Sequence, residues 1–298
     1  MSNLVDKTQR LLGDELSIGP LGYGCWRLVD MPVADALARI EKALSSRMNL
    51  IDTADVYGLD WGGTAFGSAE ELLGQVLAEA PHLREQMVLA SKGGIIPGVP
   101  YDSAYLETAC EASLQRLGVE QLDLYQIHRP DLLTHPEETA GVLLRLIESG
   151  KVRTVGVSNY APSQTAALMA YLPGKIVSHQ LEYSALHLAP IFDGTFDYCM
   201  QHQLVVLAWS PLAGGKLAGE QDVPPALVQV LDALADREGV DKATISLAFA
   251  LAHPARPVAL VGSIDLDRIP QATRALEVHL DRSDVYRIIE ASLGQPLP

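Results

Sequence analysis

Short apolar stretches alternate with longer amphipathic ones along almost the whole chain, and this rhythm most restricts the fold. Strands are predicted at residues 21–26, 49–54, 87–91, 122–127, 152–157, 176–180, 204–208 and 257–261. Helices are predicted between and after them, at 35–46, 68–80, 103–117, 137–148, 162–170, 192–201, 225–238, 244–251 and 266–276, with a terminal one at 283–291. The 35–46 stretch shows the helical spacing, with Leu37, Ile40, Ala43 and Leu44 on one face. Ser68 with Glu71 reads as a capping box, and 103–117 reads as opened by Asp102 or Ser103 and stopped at Gly118. Strands apolar on both faces belong in a parallel sheet covered by helices. About eight strand–helix units in 298 residues fit one closed (β/α)8 barrel, a single domain spanning residues 1–298. Residues 15–20 predict a short N-terminal β-hairpin ahead of it. An open doubly wound sheet would need a glycine-rich phosphate turn after an early strand. GYGCWR (residues 22–27) lacks the third glycine of such a turn.

A net charge of −15 argues against nucleic acid as a partner, because phosphate backbones are bound by basic patches. Cys25, Cys110 and Cys199 are far apart and form neither a disulfide framework nor a CxxC site. The N-terminal residues have no apolar segment of signal-peptide length, and no apolar run is long enough to span a bilayer. The expectation is a cytoplasmic protein without a membrane partner. No long apolar surface stripe announces an interface, so a monomer is expected. GGK (residues 214–216) is not a phosphate loop, and neither HExxH nor GxSxG occurs.

In a barrel of this kind, the residues just after each strand gather on one face. Asp52, Tyr57, Lys92 and His128 would all sit there. Each alone has an ordinary structural explanation, as a turn residue, a solvated cation or a buried histidine. Their placement at successive strand ends is harder to explain that way. Together they suit proton delivery: a phenol with an ordinary pKa near 10 beside an ammonium that favours phenolate, a carboxylate to hold the ammonium, and an imidazole to orient an oxygen. Hydride addition to a carbonyl creates such an oxygen. No side chain supplies a hydride, so a nicotinamide cofactor is implied.

The stretches IDTADVYG (51–58), FGSAEELLG (66–74), ASKGG (90–94), LQRLGVEQLDLYQIH (114–128), GKVRTVGVSNY (150–160), SHQLEY (178–183), LAWSPLAGGKL (207–217) and ALVGS (259–263) run in one order from the second strand to the last. In these the chain resembles an aldo-keto reductase. The resemblance implies NADPH-dependent reduction of an aldehyde or ketone to an alcohol, with Asp52, Tyr57, Lys92 and His128 as the catalytic tetrad. It implies that Ser158, Asn159 and Gln180 hold the nicotinamide amide. Trp209 would stack on the ring, and Ser210, Leu212, Gly214 and Leu217 would wrap the pyrophosphate. Gly262, Ser263 and Arg268 would meet the adenosine phosphate. Substrate contacts fall on Trp26, Tyr57 and His128.

Some positions leave alternatives open. Ser158 and Asn159 could instead cap the following helix. Gly262 stands where many NADPH-dependent members carry Lys, and Asp265 could bind ribose hydroxyls, so NAD(H) is an alternative to NADP(H). Gln271 and Ala272 replace a pair that often holds the adenine. Segments 60–66, 94–101, 131–135 and 291–298 are expected to form the pocket walls, with Trp26, Trp61 and Tyr183 as aromatic candidates. The same fold and tetrad also fit a cofactor-sensing channel subunit, and Lys92 could serve a lyase as a Schiff base.

Overall fold

The computed structural model describes residues 2–59, 65–96, 102–219 and 221–297. Trp61 and parts of three expected wall segments (60–64, 97–101 and 298) lie outside the described residues. Among the described residues ten strands are formed: β1 (Arg10–Leu12), β2 (Leu16–Ile18), β3 (Leu21–Gly24), β4 (Leu50–Asp52), β5 (Val88–Gly93), β6 (Leu122–Ile127), β7 (Val152–Ser158), β8 (Ile176–Glu182), β9 (Val205–Trp209) and β10 (Val258–Val261). The first two form an antiparallel hairpin, and the other eight close into a barrel in the order β10-β3-β4-β5-β6-β7-β8-β9. Each adjacent pair in the barrel is parallel. The helices between them form the outer layer. Among the described residues no helix is long and apolar enough to cross a membrane.

Strand alternation divides the barrel into an apolar floor and a polar upper layer. Leu50, Val88, Ala90, Leu124, Leu207, Val258 and Leu260 fill the lower interior together with Leu12, Leu16 and Ile18 of the hairpin. The hairpin therefore plugs the N-terminal mouth. Its entry is fixed by Arg10, which is 4% exposed and donates to the carbonyls of Arg256 (2.8 Å) and Pro257 (3.2 Å). The neighbours Ile51, Leu89, Tyr125 and Val206 point the other way, into the core between barrel and helices. Farther along the same inward rows come Asp52, Lys92, Gln126 and Gln180. Gly156 leaves space for this layer: a Cβ there would overlap Ser178 Oγ and crowd Gln126 Cγ.

The helix boundaries depart from expectation in instructive places. Helix Ser68–Glu79 has Gly67 at its cap, with φ +86°, and Ser68 is the first helical residue. The Ser68 hydroxyl donates to Ala65 O (2.7 Å) rather than capping the helix, so the capping box is not formed. Asp102 does cap helix Ser103–Leu117, accepting from Tyr105 N, and Gly118 ends it with φ +65°. The single helix expected at 192–201 is two, Ala189–Phe192 and Thr195–His202. That expected at 266–276 is a short helix, Arg268–Gln271, followed by a 3-10 turn.

Helices Ser68–Glu79 and Ser103–Leu117 are fastened to β5 through Glu70, whose buried carboxylate accepts from Ser91 Oγ and from Arg116 Nε (2.7 Å). Gly74 lies one turn on, where its missing Cβ would overlap the Arg116 carbonyl oxygen. At an exposed helical site, Gly→Ala stabilises by roughly 0.5–1 kcal/mol. Here the sign reverses. Gly74→Ala should destabilise by about 1–3 kcal/mol, as overpacking does, and urea unfolding of the two proteins measures it directly.

Candidate active site

The exits of β4, β5 and β6 bring three of the four expected residues together by register alone. Asp52 ends β4 and pairs with Ala90, two residues before Lys92 on β5, and Lys92 pairs with Gln126 on β6. Lys92 is fully buried and Asp52 is 1% exposed. The ammonium donates to Asp52 Oδ2 (2.7 Å), Thr53 O (2.8 Å) and Tyr57 OH (3.1 Å), one acceptor for each of its protons. Asp52 Oδ1 accepts from Gln126 Nε2 (3.2 Å) and Gln180 Nε2 (2.9 Å). Gln126 was not singled out in the sequence. The signal was there: in LDLYQI it is a polar residue at an inward position of an otherwise apolar row.

The Tyr57 loop continues the barrel's hydrogen bonding after β4 has ended. Thr53 N donates to Ala90 O (2.9 Å) and Asp55 N to Lys92 O (3.0 Å). A tight turn follows, with Tyr57 N on Ala54 O (3.2 Å), and Ala69 N donates to Tyr57 O (3.2 Å). The phenol is thereby carried back over Lys92. Because Tyr57 OH accepts from Lys92, its own proton is free to point into the pocket. His128 follows β6, its N–H on Gly93 O (2.8 Å) and its ring edge-on to Tyr57, with centroids 5.9 Å apart.

The titration behaviour corrects one expectation. Lys92 does pull the Tyr57 phenol down, but burial raises it more and Asp52 adds to the rise, so the net shift is upward. Burial also works against a charged Lys92, and there Asp52 and Tyr57 outweigh it, so its value is raised and the ammonium persists. His128 is held well below the ordinary imidazole range by burial, and further by Lys92 and Arg129. The imidazole is therefore neutral at neutral pH. Its Nδ1 is buried without a hydrogen-bond partner among the described residues.

The remaining candidates line the exits of β7 to β10. Asn159, with φ +58°, links two of these exits, those of β7 and β9, to the exit of β6. Its Nδ2 donates to His128 O (3.0 Å) and Ser158 Oγ (3.0 Å), and its Oδ1 accepts from Trp209 Nε1 (3.2 Å). The capping alternative for this pair is not realised: Ala161 precedes helix Pro162–Met169, and its N–H donates to Gln164 Oε1 (2.8 Å). After β9, Ser210, Ala213, Gly214 and Gly215 all have positive φ. Leu217 anchors this loop by burying its side chain in the core. Arg27, in the 3-10 turn Cys25–Arg27 that follows β3, donates from Nη1 to Gly262 O (3.2 Å) and from Nη2 to Gly214 O (3.4 Å). Ser263 O accepts from Tyr23 OH (3.0 Å), and Ser263 Oγ from Asp265 N (3.2 Å). Asp265 is engaged by the N–H groups of Asp267 (2.9 Å) and Arg268 (3.3 Å) and lies 3.5 Å from Arg268 Nε.

Trp26, beside Arg27, is half-buried at the β3 exit. Tyr183 is not a pocket wall. It is 1% exposed and packs on Phe196 (4.8 Å) and Phe249 (5.7 Å) behind the barrel. Alternation explains this: Gln180 faces inward on β8, so Leu181 and Tyr183 face the helices. The 131–135 segment is strongly exposed at Leu132 (80%) and Leu133 (92%) and borders a groove with Pro130, Thr134, Tyr160 and Gln164.

The family model described as "Aldo/keto reductase family" matches residues 20–292. A 6-dehydroglucose reductase of Novosphingobium aromaticivorans is 44% identical over 95% of this chain and 94% of its own length. A 6-dehydroglucose reductase of Agrobacterium fabrum is 34% identical, over 95% and 97% respectively. Among solved structures, an aldo/keto reductase from Klebsiella pneumoniae in complex with NADP and acetate superposes with a TM-score of 0.80 at 25% identity, covering 98% of both chains. Barrel, strand-exit site and family model agree: this chain belongs to the aldo/keto reductase family.

Proposed function

We propose that the protein is an NADPH-dependent carbonyl reductase in which Tyr57 is the general acid. The observation that carries this reading is the fully coordinated Lys92 ammonium, held by Asp52 and Thr53 and aimed at the Tyr57 hydroxyl. NADP(H) fits the donor set around the barrel mouth. Ser158 and Gln180 offer amide-binding groups beside the tetrad, and Trp209 offers a ring face. The turned backbone of 210–215, with Ser263, Arg27 and Arg268, offers donors suited to phosphates. When bound, the cofactor supplies the two electrons and the hydrogen that the carbonyl carbon gains.

The chain's own residues handle the oxygen. Tyr57, kept protonated by burial, donates its proton to the carbonyl oxygen as negative charge builds there. Lys92 stabilises the phenolate left behind, and Asp52 keeps Lys92 charged and in place. Neutral His128 orients the carbonyl by hydrogen bonding. The substrate class we infer is a sugar aldehyde of the 6-dehydroglucose kind, on the strength of the two relatives that carry this name.

Tyr57→Phe should lower kcat by about 10²–10⁴-fold, the range of general acid catalysis, while NADPH still quenches Trp fluorescence. Near-wild-type turnover in that variant removes the assigned role. The pH profile of kcat/KM for reduction should be flat from about pH 6 to 8, because His128 titrates below and Tyr57 above that window. An inflection close to 6.5, the ordinary imidazole value, contradicts it. Among a panel of aldehydes, 6-dehydroglucose should give the highest kcat/KM. A better simple aromatic or aliphatic aldehyde would reassign the substrate and leave the chemistry intact.

A further inference from the structure

The geometry points to Arg27 as a phosphate-binding residue of the cofactor groove, supplying from the β3 exit a cation that Gly262 at the β10 exit cannot. This inference rests on the NADPH reading above. Arg27 is absent from the sequence motifs that suggested the cofactor contacts, and only the fold places it among them. β3 lies between β4 and β10 in the barrel, with Gly24 paired to Asp52 and Tyr23 to Val261. The turn Cys25–Arg27 therefore opens on the same face as the tetrad, beside residues 262–268.

The guanidinium lies between two loops that come from distant parts of the chain. It reaches Gly262 O on one side (3.2 Å) and Gly214 O on the other (3.4 Å). The first loop continues into Ser263 and Arg268, and the second is the positive-φ segment after β9. Two carbonyls thus fix the plane of the fork before any anion arrives. A guanidinium oriented in this way loses little further freedom on meeting a phosphate, and its planar fork matches phosphate geometry.

Gly262 leaves the space beside the guanidinium open. A Cβ at that position would stand 3.5 Å from Arg27 Nη1, so a long side chain built on it would contest the ground the guanidinium occupies. The local charge supports the assignment. In a chain of net charge −15, three arginines converge on the β3 and β10 exits. Arg27 lies on Gly262 O, Arg39 donates to Ile264 O (2.7 Å), and Arg268 lies beside Asp265. Asp265, the nearby acid, already accepts two backbone N–H bonds, which hold its carboxylate toward the helix start at Arg268.

The test is fluorescence titration of the wild type, Arg27→Gln and Arg27→Lys with NADPH and with NADH, each at several salt concentrations. Arg27→Gln should weaken NADPH about tenfold to hundredfold, the range for a lost charge-assisted contact, and should flatten the salt dependence of binding. Arg27→Lys should recover part of both. Weakening confined to NADPH places the contact on the 2′-phosphate. Equal weakening of NADH places it on the pyrophosphate, and both outcomes support the inference. Affinity within about twofold of wild type, or weakened binding with an unchanged salt slope, overturns it, because a purely structural bridge would not alter the number of charges engaged. Wild-type protein that binds neither nucleotide defeats the reductase reading itself, a result separable from failure of the variant.

Discussion

The ion pair between Lys92 and Asp52 is the constraint on which the rest of the site depends. Both groups are removed from water, with side-chain exposures of 0% and 2%. Burying two charges costs several kcal/mol each, and attraction alone offsets that only when the remaining donors and acceptors are satisfied. Here they are. Lys92 has three acceptors, from β4, from the turn after it and from Tyr57, and Asp52 has two amides besides the ammonium. The donors to Asp52 come from β5, β6 and β8, so the closed barrel is what completes its coordination. Removing one partner of such a pair would leave an uncompensated charge, at a cost of roughly 3–5 kcal/mol.

The same constraint explains the layering inside the barrel. A polar network can lie in the upper half because the lower half is dry. Leu50, Val88, Leu124, Leu207 and Leu260 fill the floor, and the hairpin residues Leu12, Leu16 and Ile18 close it from below. Water is kept from the underside of the ion pair, which strengthens every electrostatic term above it. The environment that makes Lys92 costly to bury also decides the state of its neighbours. It pushes the Tyr57 phenol up and the His128 imidazole down, so both stay uncharged beside the ammonium.

The exits of β7 to β10 are built on a different principle. Here the strands have ended and the backbone is turned by residues with positive φ, Asn159, Ser210, Ala213, Gly214 and Gly215. These turns are joined by side chains that cross between exits: Asn159 ties β6, β7 and β9 together, and Arg27 bridges the loops after β9 and β10. A groove held at several points loses less freedom when a ligand enters, which is the physical content of preorganisation.

The chain's repeating apolar rhythm was sufficient to specify the barrel and the face on which a site could form, because strand alternation and short strand–helix connections permit few other closures. Strand β6 and helix Pro225–Glu238 fall on the residues expected from pattern alone, and Asp52, Tyr57, Lys92 and His128 could be placed on the exit face because each lies near or beyond the C-terminal end of a strand. Several features were not legible. Gln126 and Gln180 as partners of Asp52, the net upward shift of Tyr57, the outward turn of Tyr183 and the reach of Arg27 to Gly214 and Gly262 all depend on which strands become neighbours when the sheet closes. Periodicity along a chain records which way a side chain faces. It does not record what stands opposite, and burial, hydrogen-bond partners and the balance of charges are set by what stands opposite.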